Sequence, residues 1–541
     1  MIHGKDFRMR RLPVLALFGL LTLCSFLACK GDEPLLDSKS PTLAVTEIDG
    51  LKLSHPANFK VTKVASTPLV KWPICADVGR DGRLYIAESS GSNAPVQQQL
   101  QEKTHRIVVL DDRDRDGRYD HRQVFAEKMM FPEGILCIDR GVLVCAPPQI
   151  WKLQDLDGDG TAEVREVWFD AKTLTGCAND LHGPYRGPDG LIYWCKGAFA
   201  EQTHKLVDGR QLVTKASHIF RRPLMGGELE SVMTGGMDNP VEVAFDQTGN
   251  IFFTSTFVQH PAGGFRDGLM HAVYGGVYGK DHNVIDGHPK TGDLMPIMTH
   301  LGPAAPAGVT RVESDLLETS DADTLLVAQF NLQKISMHRL EMSGGGFKTV
   351  DSDFLRGDRL EFHPTDILND ADGSLLAIDT GGWYRLCCPT SHLDQSVAEG
   401  GIYRIERADR TIDRNNDWIG KDIPWETIDS AETIPLLTDS RKLVRQAAQD
   451  RLVALGNDSV MAIRKTIDGP SISLQHRVSM LWVLSRIASA DAQQIIREQI
   501  GRDEPRVRQV ALQIMSTLRS KDPVLKGFTD EGIVSPHELR L

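Results

Sequence analysis

Along the middle of the chain one pattern recurs: a Gly or Asp turn followed by an apolar and aromatic run. It appears at "VGRDGRLYIAES" (78–89), "GILCIDRGVLVCAP" (134–147), "GPYRGPDGLIYWCKG" (183–197), "PVEVAFDQTGNIFFTST" (240–256), "AGVTRVESDLLETSDADTLLVAQF" (307–330) and "HPTDILNDADGSLLAIDTGG" (363–382). Each run leads to a further strand candidate, such as "RIVVLDD", "QIWKLQD", "SHIFRRP" or "GIYRIER". Modules at intervals of roughly 40 to 60 residues, none able to bury a face alone, predict stacking in a closed ring. The expected fold is an all-β six-bladed β-propeller over 49–410; a large β-sandwich of similar hairpins is the alternative. After residue 410 the period changes. "DSRKLVRQAAQDRLVAL" (439–455), "SLQHRVSMLWVLSRIA" (473–488) and "DEPRVRQVALQIMSTL" (503–518) place apolar residues at helical spacing, with Arg445, Arg477 and Arg508 recurring at steps of 32 and 31 residues. That spacing predicts a linker at 411–430 and a small all-α, HEAT-like helical repeat domain at 431–541, a scaffold or contact surface.

Composition fits this picture. The 541 residues are 41% hydrophobic, enough for a large core, and 48 glycines suit a turn-rich β fold. The net charge of −12 is spread without long runs, which argues against a nucleic-acid partner and against attraction to anionic lipid.

The N-terminus changes the setting. Lys5, Arg8, Arg10 and Arg11 precede an apolar run from Leu12 to Leu27, and "FLAC" ends at Cys29. This layout reads as a lipoprotein signal (1–29) with Cys29 as the lipidated residue, followed by a tether (30–48); plain secretion and an uncleaved anchor are the alternatives. Phe26 departs from the Leu usual three positions before such a cysteine. The expected location is the cell envelope, held to the membrane by a lipid anchor only. In an oxidising compartment the remaining Cys75, Cys137, Cys145, Cys177, Cys195, Cys387 and Cys388 are free to form disulfides. Cys137 and Cys145 flank a turn and can face one another across a hairpin; the adjacent Cys387 and Cys388 can close a strained ring. No CxxC and no CxxCH occurs, so neither a zinc ribbon nor a covalent c-type haem is encoded.

Two acidic loops carry metal-site spacing. Asp112, Asp114, Asp116 and Asp120 occupy positions 1, 3, 5 and 9 around Gly117; Asp155, Asp157, Asp159 and Glu163 repeat the order around Gly160. Alternate residues of a tight loop turn several carboxylates inward, as a hard cation such as calcium requires. Strand candidates flank both loops, so these are calcium hairpins rather than EF-hands. Solvated Asx-rich turns are the bland alternative.

The motifs "RIVVLDDRDRDGRYDHRQVFAE", "FPEGILC", "LQDLDGDGTAEVREVWFD" and "DTGGWYRLCCPTS" resemble the PVC-type bacterial membrane-bound dehydrogenases, which join a propeller to HEAT repeats and a CxxCH cytochrome domain absent here. More distantly, the propeller is similar to the glucose/sorbosone dehydrogenases, quinoproteins that use pyrroloquinoline quinone (PQQ) and calcium. The resemblance implies oxidation of a sugar or alcohol outside the cytoplasm, with electrons passed to a separate cytochrome c. Its base, a histidine before a "GPDG" strand, falls on His182 in "NDLHGPYRGPDGLIYW". A neutral imidazole, pKa near ~6.5, can take a hydroxyl proton. The family's cofactor cations fall near Lys334 and Arg359, with His271 and Tyr278 in the segment beside the cofactor. Asp238 stands where the family keeps an arginine for the anionic quinone, and an acid there repels a tricarboxylate.

Two function classes follow: an extracytoplasmic oxidoreductase with His182 as base, and a non-catalytic, calcium-braced propeller binding a glycan or, through the helical repeats, an envelope protein. A hydrolase is weaker, since no GxSxG or HExxH occurs.

Overall fold

A computed structural model describes residues 42–176, 180–260, 265–313, 316–317, 323–384 and 398–518. Six blade sheets follow one another along the chain, antiparallel but for one parallel edge strand, and a two-stranded sheet, Gln202–Lys205 with Gln211–Thr214, is inserted in the third. Blade 1 comprises Pro73–Val78, Leu84–Glu88, His105–Asp111 and His121–Met129, with helix α1 (Val96–Glu102) between its second and third strands. Blade 2 is Gly134–Ile138, Gly141–Ala146, Gln149–Gln154 and Val164–Asp170. Blade 3 is Leu181–Arg186, Leu191–Lys196, Ser217–Pro223 and Glu230–Gly235, joined in parallel by Gly276–Tyr278. Blade 4 is Asn239–Phe245, Ile251–Thr256, Asp267–Ala272 and Thr299–Gly302. Blade 5 is Pro306–Arg311, Thr324–Gln329, Lys334–Ser343 and Gly346–Gly357; blade 6 begins with Pro364–Asn369, Leu375–Asp379 and Gly401–Arg407.

The first strand of each blade packs on the first strand of the next, and that of blade 6 packs on that of blade 1, which closes a six-bladed propeller. Phe59–Ala65, from the N-terminal side, is the outermost strand of blade 6, paired antiparallel with Gly401–Arg407. The hairpin Leu43–Ile48 and Leu51–Pro56 adds to the outer edge of blade 5. Residues 43–48, expected to end a tether, therefore form an edge strand. The lipoprotein signal and Cys29 lie outside the described residues.

Second strands are covered on both faces by neighbouring blades, so Leu84–Glu88, Gly141–Ala146, Thr324–Gln329 and Leu375–Asp379 are buried at every position. This explains why they read in sequence as unbroken apolar runs rather than alternations. Each fully buried Leu, Ile or Val there contributes roughly 1.5–3 kcal/mol. In blade 2, Cys137 stands opposite Val142 and Cys145 opposite Gly134, and the two thiols pack against different blades. The cross-hairpin disulfide is thus ruled out by register; both are free thiols. Cys177, Cys387 and Cys388 lie outside the described residues.

The chain then runs without regular structure to α2 (Ser430–Thr433), α3 (Lys442–Leu455), α4 (Asn457–Thr466), α5 (Leu474–Ile487), α6 (Ala490–Gln499) and α7 (Pro505–Leu518). α3, α5 and α7 stack in one layer, with α4 and α6 behind them. The recurring arginines tie each loop to its helix: Arg445 donates to the carbonyls of Asp439 and Ser440, Arg508 to those of Arg502 and Asp503, and Arg477 to that of Ile467. Among the described residues no helix is long and apolar enough to cross a membrane.

Candidate functional site: the central channel

The six first strands enclose a cavity of about 580 Å³ along the propeller axis. Five of these strands carry a register shift near their start: at Pro73/Cys75, His182/Tyr185, Pro240/Val243, Pro306/Val309 and Pro364/Asp366. Proline cannot donate to a ladder, and the bulge beside it turns backbone N–H groups away from their own sheet. Carboxylates of neighbouring blades accept N–H groups of the first strands, at the bulge for Ala76 and Val309 and outside one for Cys137 and Leu181. Asp77 accepts from Cys137 (2.8 Å), Asp366 from Ala76 (3.0 Å), Glu242 from Val309 and Glu133 from Leu181. Burial raises the pKa of each: Asp366 to about 7, Asp77 upward, and Glu133 and Glu242 well above the carboxylate range, where Asp180 and Asp366 respectively add repulsion.

The two ends of the channel differ. Where the first strands end, the helical layer covers the opening: Lys442, Arg445, Gln446 and Gln449 of α3 and Gln475, Ser479, Trp482 and Arg486 of α5 line the cavity. Arg445 bonds Glu313 at 2.8 Å, and Asp450 pairs with Arg80, Arg186 and Arg486. Trp482 donates to the Thr248 carbonyl, its ring filling the space over Gly249. At the other end α1 packs beside the wall residues Phe131 and Trp383, and no residue of α1 lines the cavity.

That other end, where the first strands begin, gathers the site. His182 is 7% exposed; its ring donates to the main-chain carbonyl of Glu133, and its buried Nε2 has no hydrogen-bond partner. Desolvation pulls its pKa down to about 4, so it is a neutral acceptor. Asp180 accepts from the Thr175 N–H and hydroxyl, both at 2.6 Å. Behind it the fully buried Lys196 donates to the Ala200 and Ala216 carbonyls, and burial lowers its pKa to about 7. Asp238 pairs with Lys280 at 2.7 Å, and Arg266 with Asp267 at 2.6 Å. One wall is aromatic: Tyr384 lies 5.2 Å from Trp383, 5.5 Å from Phe131 and 6.1 Å from Phe330 between ring centroids.

His182 and Asp238 thus line the channel, but the pocket expected from Lys334, Arg359, His271 and Tyr278 does not form. None of the four lines the cavity. Lys334, on the third strand of blade 5, pairs with Asp353 at 2.7 Å. Arg359 is exposed, its guanidinium against Gly50. His271, on the third strand of blade 4, packs between Phe252 and Phe347. The Tyr278 hydroxyl is used within its own turn, donating to the His271 carbonyl and accepting from the Val273 N–H. All four sit outward of the first strands, so ring geometry keeps them from the axis. Glu133, Asp180, Glu242, Asp366 and the aromatic wall were missed. The sequence held one signal for three of them: each acid follows a proline by one or two places, in "FPE", "NPVE" and "HPTD".

The acidic loops occupy equivalent places, between the third and fourth strands of blades 1 and 2. Their internal bonding is the same: Gly117 N–H donates to Asp112 and Gly160 N–H to Asp155, Asp116 N–H to Asp114 and Asp159 N–H to Asp157. Asp155, Asp157, Asp159 and Glu163 converge so that one oxygen of each lies within 4.8 Å of the others, as do Asp112, Asp114 and Asp116. Asp120 stands outside its group and accepts the Arg113 N–H at 3.1 Å. An all-oxygen set with the buried Asp112 Oδ1 lacking a partner fits a hard cation.

Fold and site together define a six-bladed propeller with an acid-lined axial channel closed at one end by stacked helices. The chain belongs to the family of the domain of unknown function DUF7133, whose model matches residues 49–409. No curated protein sequence matches it. Among solved structures it is similar to a Thermus thermophilus protein described as a putative oxidoreductase (glucose dehydrogenase), at 17% identity and a TM-score of 0.44, over 64% of this chain and 99% of that one. The PQQ domain of a Coprinopsis cinerea pyranose dehydrogenase gives 13% and 0.44, over 67% and 98%. The calcium-binding regucalcin of Agrobacterium tumefaciens gives 12% and 0.37, over 65% and 96%. Likeness this distant carries no chemistry with it.

Proposed function

We propose that the channel is a binding site for a small hydroxyl-bearing molecule, a sugar or alcohol, with His182 as the group that accepts its proton or hydrogen bond. The observation that carries this reading is the buried Nε2 of His182, neutral and without a partner, in a cavity that also offers an aromatic wall. Apolar sugar faces stack on rings while hydroxyls meet convergent polar groups. PQQ does not fit the residues present. Asp180 and Asp238 face the half of the channel around His182 and repel an anionic tricarboxylate, while Lys280 and Arg266 are already paired with acids. Oxidation at His182, with electrons passed to a cytochrome c, is the second reading, favoured by the same imidazole, and it requires a different hydride acceptor.

Calcium in the two hairpins would brace blades 1 and 2 without touching the ligand. We place the protein in the cell envelope by a lipid on Cys29, with the outward layer of helices free for an envelope partner. The test of the site is sugar and alcohol binding to the full chain in detergent, followed by tryptophan fluorescence, for the parent and for His182→Phe. The parent should bind and the variant should lose about tenfold or more, the scale of one hydrogen bond to a buried group. Equal binding by both would remove His182 from the site; tight PQQ binding would reverse the order of the two readings.

A further inference from the structure

Resting on that reading, we infer that the ligand carries a protonated amine, as an amino sugar does. The half of the channel around His182 gathers acidic groups beside one orphaned acceptor. Asp180 and Asp238 present carboxylates, Glu133 presents a carboxyl group whose pKa burial and the Asp180 charge raise, and the His182 Nε2 presents a lone pair that nothing in the described structure fills. The hydroxyl of Tyr185 is turned to the Val241 carbonyl and that of Thr175 to Asp180, while the buried Thr256 hydroxyl is left as a donor for a ligand oxygen. Arg266 is the lining cation of this half among the described residues, and both arms of its guanidinium engage Asp267.

An ammonium group donates three times, to Asp180, to Glu133 and to the His182 Nε2, and its charge relieves the repulsion between the two carboxyl groups. The aromatic wall points the same way. The rings of Phe131, Trp383, Tyr384 and Phe330 border the cavity, and a cation over such a face is attracted by the ring quadrupole, more strongly when desolvated. Charge is also segregated along the axis. Arg80, Arg186, Arg311, Lys442, Arg445 and Arg486 all lie at the helix-covered end, leaving the His182 end the acidic one. A ligand cation is therefore drawn to His182 and a ligand anion is repelled there.

The experiment is isothermal calorimetry on the full chain in detergent with matched pairs: glucosamine against glucose, galactosamine against galactose, and N-acetylglucosamine as the uncharged derivative of the first amine. The expected result is that at least one amino sugar binds about tenfold or more tighter than its neutral partner, that N-acetylation abolishes the gain, and that Asp180→Asn narrows the ratio within each matched pair. Equal affinities within the pairs, or tighter binding of glucuronate, overturn the inference and leave the sugar site standing. Binding of spermidine with no sugar bound upholds the amine and overturns the sugar reading. No binding by any probe overturns both. The N-acetyl comparison needs no variant, so a misfolded Asp180→Asn leaves the test decisive.

Discussion

At His182 a turn histidine becomes a neutral acceptor because the ring of blades removes water from it. The physical consequence is a proton linkage. Its pKa falls from 6.5 to about 4 on folding, as do those of His105 and His204. Between those values the unfolded chain binds protons the native rings refuse, so this contribution to stability is complete above about 6.5 and is lost as pH falls toward 4. Asp323 and Asp379, raised to about 6, and Asp366, raised to about 7, act with opposite sign: their contribution is lost as pH rises. The parent should therefore show a shallow stability profile, and substitution should expose the slope. In denaturant titrations the stability difference between the parent and His182→Gln should shrink by up to ~3 kcal/mol from pH 7 to pH 4. A difference independent of pH would mean that the native ring is protonated normally. His182 was legible because a local motif, a histidine before a GPDG turn, marks it. Glu133, Glu242 and Asp366 were not, since an isolated acid reads as a surface residue until ring closure brings six strand starts to one axis.

Among the elements, the acidic hairpins were read most fully. Their spacing alone implies converging carboxylates, and only the place of Asp120 differs. Calcium should raise the melting temperature of the parent by several degrees, since a cation at about 100 times its Kd adds ~2.7 kcal/mol. The Asp114→Ala, Asp157→Ala double variant should melt at the same temperature with calcium or with chelator; a retained calcium response would sink the assignment. The bulged first strands were seen as strands but not as bulged, because register depends on the partner strand. Asp366→Ala would leave the Ala76 N–H without its carboxylate, and a loss of about 1–3 kcal/mol in chemical denaturation is expected. No loss would show that water replaces the side chain. Leu43–Ile48 was misread as tether for a similar reason: with alternating partial exposure along its length, it is a strand only because blade 5 offers an edge.

At the scale of the molecule, the sequence announced two domains and the structure binds them into one unit. Helical periodicity tells which face of a helix is apolar, not what that face rests on, so the closure of the channel by α3 and α5 could not be read in advance. Trp482 is the clearest link, 5% exposed against Gly249 and bonded to the Thr248 carbonyl of blade 4. Trp482→Ala should cost about 3–5 kcal/mol and split calorimetric unfolding into two transitions, the helices melting first. One cooperative transition at the parent temperature would show that the ion pairs alone hold the layer down. The ring's closure has a consequence for biogenesis. Phe59–Ala65 leaves the ribosome first among the strands of blade 6, and its partner Gly401–Arg407 emerges only after five whole blades have been made. At ~5–20 residues per second this half-apolar strand waits on the order of tens of seconds with its edge unpaired. The newborn chain therefore passes through an open, sticky arc, and a holding chaperone is needed most before the last blade is translated.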